Sequence, residues 1–446
     1  MVHDPSKLHA IPIPARPPPT VRARLQLVTF NVTFLAYLVC AHTFQLLFLP
    51  FLVVTTLYSF LTSRVARTVS WTTGEVYRLG INLTKEIFAS VLVLISTRFG
   101  RSTFVVSCDS EEQLERLVER DERGKVVGFK LAKHAVWMSN HQCYVDWIII
   151  WLVMAFGRVS EGIVIIIKAS LQWAPLVGPA MQLFRFVFLS RSRPLSTSTM
   201  YDTARDAVER DDPFQLVIFP EGTLYSRLTR PKSKAFAEAQ GIPDMDNILL
   251  PRSTGLLYTL RLLSTLFSQD ASVSVDSDAP SSPLSKKNSS QSLTVYDLTI
   301  GYAGVPPQGY AQSYYTLQTI FGFGVAPPTV HVHVETLELD EIPIGDVRRT
   351  ARRKHIEREI DERDRTEFEN WLRARWTAKD KRMGRFNPDG TGFEDDVVVV
   401  GGDKGDKVAR FEVRMRFGDW VRLTTVPLGL VLFARVCWVV LVQWTR

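Results

Sequence analysis

Four short stretches of this 446-residue chain carry residue types that can do chemistry together. The first reads Ser139-Asn140-His141-Gln142-Cys143-Tyr144-Val145-Asp146. A His and an Asp five apart do not share a face of a regular helix, because five residues turn it about 140° past a full circle. They meet if His141 sits in a loop after a strand and Asp146 in the first turns of the helix that follows. The carboxylate then accepts the imidazole Nδ1–H, fixes the tautomer and leaves Nε2 as a base. Taken alone, the same spacing also describes a surface histidine near a helix N-terminus. Cys143 has no basic partner placed beside it by the sequence and reads as a packing residue.

The second stretch, Phe219-Pro220-Glu221-Gly222-Thr223, follows an apolar run. Gly222 lets the backbone come close to a ligand, and the loop N–H groups with the Thr223 hydroxyl can hold phosphate oxygens. Glu221 would repel a phosphate, so its expected work is to accept a substrate hydroxyl or to orient a cation. In the third, Phe188-Leu189-Ser190-Arg191, an Arg at a strand end suits a bidentate phosphate clamp, or is a plain surface Arg. The fourth, Leu249-Leu250-Pro251-Arg252-Ser253-Thr254-Gly255, reads by itself as a strand and then a turn.

The elements around these stretches alternate. Phe104–Cys108, Ala135–Met138, Ile163–Ile167, Phe186–Leu189 and Phe214–Phe219 read as strands. A helix is expected from about Tyr144, and Thr199–Glu209 also reads as helical. Val295–Tyr302 and Val330–Val334 continue the order. The fold class expected is α/β, a mixed and largely parallel sheet flanked by helices, with membrane-anchoring helices before it and an apolar membrane segment after it. Residues 85–345 form the α/β domain, interrupted by a Ser- and Asp-rich insertion at 264–292 that reads as disordered. A charged helical extension follows at 346–385, with Ile356, Ile360, Phe368, Trp371 and Trp376 along one side, and 386–407 reads as a linker.

Residues 25–63 contain no Asp, Glu, Lys or Arg. As one helix they would run about 58 Å, roughly twice the hydrocarbon core of a bilayer. Pro50 divides the run, leaving a tilted span with an interfacial helix or a hairpin within one leaflet as alternatives. The tail 1–24 ahead of it is basic, and Arg64 and Arg67 follow it, so charge does not orient it. The second apolar run, at 424–444, is interrupted by Arg435 and can span or lie in the interface. The chain has 53 Lys and Arg against 46 Asp and Glu, a formal charge of +7. Beside membrane-grade apolar runs, that excess suits an anionic lipid surface and excludes nucleic acid as the expected partner. Four cysteines with no C-x-x-C pair exclude a disulfide scaffold and a structural zinc site, and no metal is expected.

Taken in order, Asn-His-x-x-x-x-Asp, Phe-x-x-Arg, Phe-Pro-Glu-Gly-Thr and Leu-Pro-Arg resemble the four blocks of the glycerophospholipid acyltransferase family. Pro231-Lys-Ser-Lys-Ala-Phe-Ala-Glu and Phe368-Glu-Asn-Trp-Leu-Arg are similar to the subgroup acting on lysophosphatidate, lysophosphatidylinositol and lysocardiolipin. Residues 224–230 depart from the simplest Glu-Gly-Thr-Arg-Ser form, leaving open whether Arg227 replaces that basic residue. The resemblance implies His141 as the base and Asp146 as its orienter. It implies Arg191, Glu221, Gly222, Thr223 and Arg252 as substrate binders. It also implies acyl-CoA as co-substrate with no further cofactor, a lysophospholipid acceptor, and a membrane location, the endoplasmic reticulum. No Ser in a G-x-S-x-G context appears, so direct transfer is expected over an acyl-enzyme. The rivals are a CoA-independent phospholipid transacylase and a catalytically silent membrane-binding scaffold of the same fold.

Overall fold

The computed structural model describes residues 5–61, 63–189, 197–267, 292–347, 360–387, 389, 392–393 and 407–444. Three helices lead in: α1 (Val21–Leu46), α2 (Leu49–Ser59) and α3 (Arg64–Arg98). Thr20 and Ser63 cap α1 and α3 by accepting from Ala23 N and Ala66 N. The apolar run breaks after Leu46, and Pro50 sits in the first turn of α2, where its missing N–H costs nothing. By length and composition, the stretches Val21–Ser59 and Arg64–Arg98 could each cross a membrane, although α3 is mostly buried within the protein.

The domain continues as β1 (Thr103–Ser107), α4 (Glu111–Leu117), the hairpin β2 (Val118–Arg120) and β3 (Val126–Phe129), then β4 (His134–Ser139), α5 (Asp146–Phe156) and β5 (Ile163–Lys168). Next come α6 (Val177–Leu183), β6 (Val187–Leu189), α7 (Thr197–Arg210), β7 (Phe214–Ile218), α8 (Arg230–Gln240), α9 (Ser253–Phe267), β8 (Thr294–Tyr302) and β9 (Thr329–Glu338). After these lie α10 (Glu362–Gly384), a small hairpin of β10 (Phe386–Asn387) and β11 (Gly392–Phe393), β12 (Val408–Glu412) and α11 (Phe417–Trp444).

Eight strands form one sheet in the order β12-β1-β9-β8-β4-β7-β5-β6. It is parallel from β8 through β6 and at β1–β9, and antiparallel at β8–β9 and β1–β12. Alternation along the central strands feeds two cores. Ala135 and Trp137 of β4, Ile163 and Ile165 of β5 and Val217 of β7 face α3 and α5. Val136, Met138, Val164, Ile166, Leu216 and Ile218 face α7, α9 and α10. Both faces are covered, which is why these strands read as continuous apolar runs.

Several expectations change. Leu249 and Leu250 are buried but Leu249–Pro251 is not a strand, and α9 begins two residues later. Residues 264–267, assigned to the insertion, complete α9, where Phe267 is buried; 268–291 lie outside the described residues. The stretch 386–407 is not wholly linker. It holds the β10–β11 hairpin, whose Phe386 and Phe393 rings pack edge-on to His331. The sheet also runs past residue 345, because β12 pairs with β1.

The charged extension folds as a helix packed by its apolar stripe. α10 buries Phe368, Leu372, Trp376 and Lys379, and Ile356 lies outside the described residues. Lys379 Nζ lies 2.5 Å from Asp297 on β8, and Arg375 Nε donates to the same carboxylate at 2.6 Å. At such burial, two cations sharing a carboxylate fix the register of the helix on the sheet more than they add stability. The last apolar segment folds as α11, which starts ahead of residue 424. Its Val426 packs with Ala41 of α1 and Ile87 of α3.

Candidate active site

β4 and β7 end side by side, and β8 flanks β4 on its other edge. Their carboxyl ends face the same way, the place where open parallel sheets bind ligands. Beyond Ser139, Asn140 continues the ladder with its side chain: Oδ1 accepts from Ile300 N at 2.8 Å and Nδ2 donates to Ile300 O at 3.0 Å. That fixed step sets His141 at the rim. Its imidazole is 20% exposed and stacks on Phe219 with ring centroids 4.1 Å apart.

Asp146 opens α5 and is fully buried. Its Oδ2 accepts from His141 Nδ1 at 2.8 Å, Gln142 N at 2.8 Å and Cys143 N at 2.9 Å. The loop therefore wraps around one carboxylate oxygen, which is how a five-residue spacing that no helix could serve brings the two groups together. Cys143 is fully buried and its Sγ–H meets Tyr315 O, while burial and the Asp146 charge push the thiol up. A thiol held neutral in this way is a packing group.

The loop after β7 locks onto His141 from the other side. Tyr225 N donates to His141 O at 2.8 Å, and Arg252 N donates to Pro220 O at 2.8 Å. Gly222 takes φ +69°, a conformation that favours glycine, and Arg252 lies 3.5 Å from where its Cβ would be. Gly222, Thr223 and Arg252 are exposed. Arg191 lies outside the described residues, two positions beyond the end of β6.

Glu221 is placed otherwise than its sequence suggests. It is 2% exposed, and its Oε1 accepts from His141 N at 3.2 Å. Burial raises its carboxyl to about 8, against the pull of the His141 and Leu249 backbones and the Trp376 indole. The side chain is turned under the loop, where it props His141 from beneath. The charge of an exposed carboxylate, assumed from sequence, is absent below that value.

A polar relay that the four blocks did not announce reaches this loop from α10. Asp380 Oδ1 accepts from Asn247 N at 2.7 Å, and Gln142 Nε2 donates to Asn247 O at 3.0 Å. Only the acidic residue beside a buried stripe on α10 hinted at it. On β8, Tyr302 is buried and donates to Asp146.

The Acyltransferase family model matches residues 106–266, from the end of β1 to α9. The chain is 27% identical over 351 residues to the 2-acyl-1-lysophosphatidylinositol acyltransferase of Saccharomyces cerevisiae, covering 71% of this chain and 78% of that one. It is 30% identical over 207 residues to the probable 1-acyl-sn-glycerol-3-phosphate acyltransferase 5 of Arabidopsis thaliana, 46% of each chain. Against lysocardiolipin acyltransferase 1 of Gallus gallus it is 26% identical over 271 residues, 60% of this chain and 58% of that one. These matches support membership of the glycerophospholipid acyltransferase family. The matched span holds His141, Asp146, the Glu221 loop and Arg252 of this acyltransferase. Tyr302 and α10 lie beyond it.

Proposed function

We propose that this acyltransferase moves a fatty acyl chain from acyl-CoA to the free hydroxyl of a lysophospholipid, with His141 as general base. The observation that carries the reading is the 2.8 Å contact between His141 Nδ1 and a buried Asp146, with the imidazole still open to solvent. Nε2 takes the hydroxyl proton as the oxygen attacks the thioester carbonyl. The tetrahedral adduct then expels the CoA thiolate, which recovers the proton from the imidazolium. Asp146 holds the tautomer and stabilises the transient cation. Gly222, Thr223, Arg252 and Arg191 would hold acceptor phosphate.

The membrane reading is that α1 lies along one leaflet at the endoplasmic reticulum. Gln26 Nε2 donates to Phe99 O and Phe321 O at 3.1 Å, and Gln45 Nε2 donates to Ala180 O at 3.2 Å. Nineteen residues of helix separate them, about 28 Å. Contacts with the domain at both ends favour a helix that runs along it over one that leaves it to cross a bilayer. Its outward side, Val21, Leu25, Val28, Val32, Leu35 and Val39, is one exposed aliphatic stripe. α2, at 11 residues, is too short to span.

Purified protein assayed with one acyl-CoA against a panel of lysophospholipids tests the proposal. Diacyl product should form with the thioester present and fail without it; product from a diacyl donor alone would indicate a transacylase. In the same assay Arg191→Ala should raise KM for the lysophospholipid about ten- to a hundredfold, the value of one charge-assisted contact, with little change for acyl-CoA. The reverse pattern would move Arg191 to the donor.

A further inference from the structure

We propose that Tyr302, on β8 and outside the four sequence blocks, is a positioning residue that sets the working pH range of the His141–Asp146 pair. The inference deepens the general-base reading and rests on it. Asp146 has two oxygens in a fully buried site. Oδ2 is shared by three donors from the His141 loop, whereas Oδ1 receives only the Tyr302 hydroxyl among the described residues, at 2.5 Å. The phenol is itself fully buried, and burial together with the Asp146 charge holds it well above its ordinary range. It therefore stays a donor at every pH at which the enzyme works.

A buried carboxylate loses favour as an anion with each donor removed. Without the Tyr302 hydroxyl, Asp146 holds protons and a protonated imidazole partner more tightly. His141 must be neutral to accept the acceptor's proton, so the acid limb of activity moves to higher pH. The other titratable groups around the pair are Cys143, Tyr315 and Glu221, and all three are held neutral at pH 7 by burial. None of them reaches Oδ1. The placement also explains the length of β8: Ile300 pairs with Asn140 at the end of β4, and two residues later the strand delivers Tyr302 beneath the pair.

The test is Tyr302→Phe in the full chain, with kcat/KM followed against pH in parallel with Tyr315→Phe. Tyr315 is a neighbouring buried tyrosine whose hydroxyl donates to Ala303 O, not to Asp146. Phe keeps the ring in place in both variants. Tyr302→Phe should move the acid limb up by about half to one pH unit and lower kcat about tenfold at pH 7, with both KM values near wild type. Tyr315→Phe should lose thermal stability by a similar amount and leave the limb where it is. An unmoved limb in Tyr302→Phe, or equal shifts in both variants, would overturn the assignment. A dead His141→Ala beside an unmoved Tyr302→Phe limb would refute Tyr302 alone, whereas an active His141→Ala would refute the base itself.

Discussion

His141→Ala should lower acyl transfer by about 10²–10⁴-fold, the range a positioned general base supplies, while the melting temperature and membrane binding stay near wild type. The imidazole is at the rim, stacked on Phe219 and partly exposed, so its removal opens no sealed cavity. What holds the loop is its backbone: Tyr225 N to His141 O, and His141 N to Glu221. Both survive in alanine. Asp146→Asn is a different case. An amide rotated to keep its oxygen toward Gln142 N and Cys143 N can still accept from His141, with its NH2 toward Tyr302. Geometry is largely kept and the negative charge behind the imidazolium is lost, so residual activity should exceed that of His141→Ala. Steady-state rates paired with thermal melts decide this. Near-normal turnover in His141→Ala would exclude the mechanism.

Glu221→Ala should be the most destabilising single change in the site, by about 3 kcal/mol or more, because it leaves the His141 N–H buried without an acceptor and opens a void under the loop. Glu221→Gln should be benign at neutral pH, since the carboxyl is raised to about 8 and an amide copies its neutral form. The pH dependence has a definite sign. Between about 4.5, where the unfolded carboxyl titrates, and about 8, the folded chain keeps a proton that the unfolded chain has released. Stability from this group is therefore full below that window, falls by up to about 1.4 kcal/mol per pH unit across it, and levels off above it. Urea midpoints of wild type and Glu221→Gln from pH 5 to pH 9 should diverge as the wild type declines. If Glu221 faced the acceptor instead, Glu221→Gln would raise the lysophospholipid KM and leave the pH slope of stability unchanged.

The His141–Asp146 pair was legible because chemistry and local structure coincide there: a strand, a loop and a helix start place the two residues within one short segment. The central strands were legible because apolar runs buried on both faces have no competing reading. The orientation of Glu221 was not, since an acidic residue beside a Gly turn carries no sign of whether it points out or in; here it points in, where its Oε1 meets His141 N, 80 residues away in sequence. Tyr302 looked like the apolar end of a strand. Its hydroxyl gains meaning only when β8 is laid beside β4. α10 was legible as a helix packed by Phe368 and Trp376, whereas the pairing of Lys379 and Arg375 with Asp297, and of Asp380 with Asn247, depends on the packed domain. Leu249–Pro251 has the composition of a strand but runs as irregular chain into α9, with Leu250 N donating to Ser233 Oγ.

Direct transfer through His141 is tested most directly by rapid mixing of purified enzyme with excess acyl-CoA in the absence of acceptor, followed by intact-protein mass measurement and a count of CoA released. The account predicts no burst of CoA and no acyl adduct, with stoichiometric CoA release beginning only when lysophospholipid is added. A burst of one CoA per chain, with the added mass of an acyl group on Cys143 or any other side chain, would contradict it.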